Sequence, residues 1–168
     1  IRNADEANEK RANIINCVDD EVRVELGKST TAAGEAAFQA LTAAVKDLKS
    51  GKIHALVTAP INKYNIQSKK FHFSGHTDFL QSVFGPGEVL MLMLGSLMKV
   101  GVVADHVPMK KLTEHILKDK ILAKIRVLNV SLIQDFTIRR PKIAVLGFNP
   151  HAGDNGLIGN EEIKEIIP

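Results

Sequence analysis

With one cysteine, Cys17, in 168 residues, the chain has no internal disulfide. No apolar run is long enough to span a bilayer. The longest, Val89–Leu94, is interrupted by Gly95 before Leu97–Met98, whereas a spanning helix needs about 20 apolar residues. No signal-peptide pattern opens the chain, which with the lone thiol points to a reducing cytoplasm. Neither sign of charge dominates: 22 basic against 19 acidic residues leave +3. That bias suits a phosphorylated substrate and is too weak to argue for nucleic acid. Aromatics make up only 5%, but 45% hydrophobic content with Gly 12 and Pro 6 excludes disordered, collagenous and low-complexity chains. No repeat, linker or block of like charge marks a boundary. Residues 1–168 are therefore read as one piece, the central portion of a longer polypeptide, since the chain opens at Ile1 and stops at Pro168 just as a helix begins.

What is present reads as alternating helices and apolar strands. Ile1–Gly27 is polar and ambiguous. Ser29 or Thr30 can cap a helix running to about Ser50, because Ala37, Leu41, Ala44, Val45 and Leu48 share one face and Gly51 supplies the stop. Ile53–Val57, Val89–Leu94, Val100–Ala104 and Ile143–Phe148 have the length and composition of buried strands. Leu112–Leu117, and then Ile121, Leu122, Ile125, Leu128, Leu132 and Phe136, mark helices with one apolar stripe each. Glu161 and Glu162 fall in the first turn of a last helix, where carboxylates suit the positive end of the dipole. The pattern predicts an α/β protein with a mostly parallel sheet covered by helices. In such sheets ligands lie beyond the carboxyl ends of the strands. Polar residues gather at those ends, at Asn62-Lys63, Asp105-His106 and Asn149-Pro150-His151.

His106 and His151 each follow a predicted strand. Neutral imidazole is the commonest ligand for divalent transition metals, and two such loops can bring two rings to one ion. Loop hydrogen bonding explains the same residues about equally well, and two histidines are one short of a catalytic site with three protein ligands. Gly75-His76-Thr77-Asp78 can approach an anion through glycine backbone and donate hydrogen bonds from His76 and Thr77. On pattern alone, a helix start capped by Thr77 or Asp78 is the better reading. Gly153–Gly159 precedes a helix and matches neither a dinucleotide fingerprint nor a P-loop. Lys63 can neutralise an anion or simply be solvated. His54, His72 and His115 carry no assigned role.

Taken together, four segments resemble the 4-hydroxythreonine-4-phosphate dehydrogenase family of pyridoxal phosphate biosynthesis. They are Ala55–Lys63 (ALVTAPINK), Phe73–Leu80 (FSGHTDFL), Val102–Pro108 (VVADHVP) and Pro141–Asp154 (PKIAVLGFNPHAGD), the last continuing to Glu162. Their order and the intervals of 30 residues from His76 to His106 and 45 from His106 to His151 are similar to the family's. The resemblance implies a fold like that of isocitrate and isopropylmalate dehydrogenases, with two subdomains in the full-length parent. It implies NAD(P)-dependent, metal-assisted oxidation and decarboxylation of 4-phosphohydroxy-L-threonine. His106 and His151 would be metal ligands for zinc, magnesium or cobalt, and His76 and Thr77 would bind substrate. A homodimer with a shared active site is implied as well; neither nucleic acid nor membrane is an expected partner.

Some features depart from the family. Its third metal histidine, in a Tyr-His-Asp-Gln-Gly segment, is absent from this sequence, so this piece alone is expected to be inactive. Ser74 stands where proline is common, and Asp105 where a small or hydroxyl residue is usual, either as an acceptor for the neighbouring histidine or as added negative charge. Rival readings are a dehydrogenase of a related phosphorylated hydroxy acid such as 4-phospho-D-erythronate, a metal-dependent hydrolase and a non-catalytic dimerising fragment.

Overall fold

A computed structural model describes residues 1–23 and 25–168. The described chain forms two compact units, Ile1–Gly87 and Glu88–Pro168, with no linker-like sequence at the division. No helix among the described residues is long and apolar enough to cross a membrane.

The first unit is built on helix α1, Thr31–Lys49. The Thr30 hydroxyl accepts from the Ala33 N–H at 3.2 Å, satisfying one of the free donors at the helix start. At the far end Gly51 N–H donates to the Leu48 carbonyl at 3.1 Å and Lys52 N–H to Asp47 at 2.9 Å, the paired bonds that close a helix when the chain turns left-handed. The expected cap, stripe and stop are all found. Leu41 and Val45 are buried with Ile66, Phe71 and Phe79. Although aromatics are few, four of the seven phenylalanines meet here. Phe71 is fully buried, with ring centroids of Phe38, Phe73 and Phe79 at 5.7, 5.3 and 5.5 Å. Such tilted and edge-on contacts add to the burial of the rings. Gly34 lets α1 lie directly on the following backbone, since a Cβ there would run into the Asn65 carbonyl. The polar N-terminal stretch is tied to the unit by the Lys52–Asp5 ion pair, whose hydrogen bond raises the Lys52 pKa above its ordinary value.

Helix α2, His76–Phe84, starts earlier than the capped start expected at Thr77 or Asp78. Gly75 takes the cap position without a side-chain bond. Asp78 turns back to accept from Ser74, from its hydroxyl and from its N–H at 3.3 Å. Phe73 and Phe79, 5.5 Å apart, clamp the start of α2 onto the core.

The second unit holds strands β1, Met91–Leu94, and β2, Lys99–Val102, paired antiparallel with Met91 opposite Val102. Sheet strands therefore overlap two of the four predicted runs, β2 starting one residue earlier at Lys99, but the direction expected of a mostly parallel sheet is corrected. Only Gly95–Met98 separates β1 from β2, and Gly95 N–H closes the turn on the Met98 carbonyl at 2.9 Å. A parallel pair needs a crossover of a dozen residues or more. Ile53–Val57 and Ile143–Phe148 are not strands: neither pairs with a strand among the described residues. Val57 and Leu146 are accordingly 94% and 82% exposed. A 3-10 turn, Met109–His115, replaces the predicted helix at Leu112–Leu117. Helix α3, Lys118–Gln134, buries Ile121 and Leu132 of the predicted stripe, while Leu122 is exposed and Phe136 lies past the helix end. Its first N–H, on Lys118, donates to Glu165 at 2.8 Å. Between α3, the hairpin and the unpaired 141–146 segment lies an apolar cleft of about 560 Å³, lined by Leu90, Val100, Ile125, Leu128, Ile143 and Val145.

Candidate functional site

In the first unit, His76 and Thr77 are the first two residues of α2 and are half-buried. The end of a helix without a side-chain cap leaves backbone N–H groups free for an anion. Lys63 stretches over this end: its Nζ lies 3.8 Å from where a Gly75 side chain would begin. His76, Thr77 and the Lys63 ammonium thus belong to one helix start, together with the Asp78 carboxylate that bonds Ser74.

In the second unit, His106 follows β2 by four residues and adopts φ +55, the left-handed region that non-glycine residues rarely visit. Its Nδ1 lies 3.3 Å from the Asp105 carboxylate. When Nδ1 carries the proton and donates it to Asp105, the Nε2 lone pair is left for a ligand. The unusual residue beside His106 is thus placed as an acceptor for its ring.

His151 does not follow a strand as expected. It lies in the 3-10 turn Pro150–Gly156, where His151, Ala152, Gly153, Asp154 and Asn155 run consecutively left-handed, with φ from 45 to 80. Each non-glycine residue held this way costs about 1 kcal/mol. Gly153 is buried at the centre of the turn; at φ +80 a Cβ would lie 2.6 Å from the Gly159 carbonyl and 3.0 Å from the Glu162 carboxylate.

Glu162, expected in the first turn of a last helix, opens a single π-helical turn, Glu162–Ile166, and is 2% exposed. Its Oε1 accepts from the Phe148 N–H at 2.7 Å and the Asn149 N–H at 2.6 Å, and its Oε2 from Asn149 Nδ2 at 2.9 Å. Asn149 Nδ2 also donates to Glu161 at 2.7 Å. The Asn149 side chain, then the Asn149 and Phe148 amides, hold the Glu162 pKa below the ordinary carboxylate range, and Asn149 does the same for Glu161. Sequence reasoning named Glu162 at a helix start but not its burial, because its partners at Phe148 and Asn149 lie 13 to 14 residues away.

Imidazole nitrogen and nearby carboxylate are suitable donors for a borderline divalent cation. Among the described residues, however, no group of three or more His, Cys, Asp or Glu side chains is gathered to hold one.

Fold and sequence are similar to those of dehydrogenases. A crystal structure of a 4-hydroxythreonine-4-phosphate dehydrogenase from Burkholderia phymatum matches with a TM-score of 0.78 and 34% identity, over 100% of this chain and 52% of that one. The same enzyme from Klebsiella pneumoniae gives 0.77 and 30%, over 86% and 44%. The curated 4-hydroxythreonine-4-phosphate dehydrogenase of Bacteroides thetaiotaomicron is 43% identical over 100% of this chain and 46% of its own length. That of Aquifex aeolicus is 35% identical over 100% and 52%. The chain belongs to the family described as pyridoxal phosphate biosynthetic protein PdxA, which matches residues 1–168. It spans about half the length of these relatives.

Proposed function

We propose that the whole protein oxidises 4-phosphohydroxy-L-threonine with NAD(P) in pyridoxal 5′-phosphate biosynthesis, and that this chain supplies part of the site. Similarity along the entire chain to relatives named for this substrate carries the reading. The substrate's alcohol carbon loses hydride to the nicotinamide and its oxygen loses a proton; the resulting β-keto acid releases carbon dioxide. His76, Thr77 and Lys63, around the positive end of α2, bind the anionic groups of the substrate. His106 and His151 are two ligands of a divalent cation, for which imidazole favours zinc or cobalt over magnesium. A cation held by His106 and His151 would supply Lewis-acid stabilisation to the alcohol oxygen and to the charge left by decarboxylation. Asp105 fixes the His106 tautomer. By the same resemblance, a third ligand comes from a Tyr-His-Asp-Gln-Gly segment of the parent. Its fold has two subdomains, like isocitrate and isopropylmalate dehydrogenases, with this chain the central portion. The parent is a cytoplasmic homodimer with a shared site.

The test is turnover by the full-length protein, given substrate, zinc and NAD or NADP, read as reduced nicotinamide together with carbon dioxide. His151→Ala is expected to lower turnover at least about a hundredfold. Reduced nicotinamide formed only from 4-phospho-D-erythronate would move the assignment to a sister dehydrogenase. A hydrolysed product without reduced nicotinamide would make the protein a hydrolase.

A further inference from the structure

We propose that Glu162 is a positioning residue for His151, locking the left-handed turn that presents the imidazole. The inference rests on reading His151 as a metal ligand. A run of left-handed residues is intrinsically unfavourable, so something must hold it. Beside the 3-10 bonds of the turn itself, the backbone bonds at its ends are Ala152 N–H to the Asn149 carbonyl at 3.1 Å, Leu157 N–H to Asp154 at 3.2 Å and to Gly153, and Ile158 N–H to Gly153 at 3.1 Å. These close the turn on itself without fixing it to the rest of the unit. Glu162 does that. Its carboxylate takes both main-chain N–H groups at the point where 143–148 enters the turn, and the side chain of Asn149. It also abuts Gly153 at the centre of the turn, where a Cβ would come within 3.0 Å of Oε2. The carboxylate is buried, so water competes poorly for its three bonds, and removing it strands two main-chain donors. No described contact joins Glu162 to His151 itself, so its influence passes through Asn149 and the turn.

The experiment compares the full-length protein with Glu162→Ala and Glu162→Gln, the latter keeping shape and one acceptor oxygen. NMR reads amide exchange at Phe148 and Asn149, the His151 ring resonances, and zinc affinity by titration. In Glu162→Ala, exchange at both amides should accelerate at least about tenfold, the His151 ring signals should move toward those of an unstructured peptide, and zinc affinity should fall about 10- to 100-fold. Glu162→Gln should show the same changes to a smaller extent, and decides the matter if the alanine variant does not fold. Unchanged exchange and ring signals would overturn the proposal. So would faster exchange with His151 signals and zinc affinity preserved, since Glu162 would then hold the turn without placing the ring. If zinc moves neither His106 nor His151 in the unmutated protein, the metal reading above fails. The positioning claim is then decided by the His151 ring signals alone, shifted in support or unchanged against.

Discussion

Asn149 ties two neighbouring carboxylates, Glu161 and Glu162, to the base of the turn bearing His151. This has a pH signature with a definite sign. The folded Glu162 pKa lies below its unfolded value. Its contribution is therefore fully present above the ordinary carboxylate pKa of about 4.3 and is lost as pH falls through the lower folded value. Thermal unfolding from neutral pH downward should show a loss of midpoint below about pH 4.3 that is smaller in Glu162→Gln. Parallel pH profiles for the two proteins would contradict the carboxylate's role. His106 and His151 were legible as polar residues in loops, and the sequence left Asp105 open between an acceptor for His106 and added negative charge. The left-handed backbone at both histidines was not legible, because nothing in Asp105-His106 or Pro150-His151-Ala152 forces positive φ.

At the scale of elements, α1 was the most readable part of the chain, because cap, stripe and stop are all local signals. Thr30→Ala should cost about 1 kcal/mol by removing the acceptor for Ala33 N–H. Gly34→Ala should cost about 1–3 kcal/mol or more, since the new methyl meets the Asn65 carbonyl and helix propensity alone would favour alanine. Chemical denaturation of each variant measures both, and a stabilised Gly34→Ala would refute the close packing of α1 on residues 65–66. The strands were legible only as apolar segments. Length and composition mark a run as sheet-forming but do not name its partner, which is why Ile53–Val57 and Ile143–Phe148 were misread. The antiparallel sense of β1 and β2 could have been read from Gly95–Met98, a connection too short for a crossover.

For the molecule as a whole, family membership was visible in four ordered segments and is matched from end to end. Composition alone would have stopped at a mixed α/β chain without a membrane helix. The two compact units had no counterpart in the sequence, because the Phe84-Gly85-Pro86-Gly87 stretch reads as an ordinary turn. The unpaired apolar segments and the cleft beside α3 belong to a chain covering about half of its relatives' length. The catalytic reading therefore stands or falls with the two imidazoles of the second unit.

The most direct test is a zinc titration of the full-length protein followed simultaneously on the ring resonances of His106 and His151. If both are ligands of one ion, the two rings move together and saturate at one zinc per chain, and His106→Ala weakens the response of His151. Rings that respond at different zinc concentrations, or a His151 response indifferent to His106→Ala, would show that they do not share a cation.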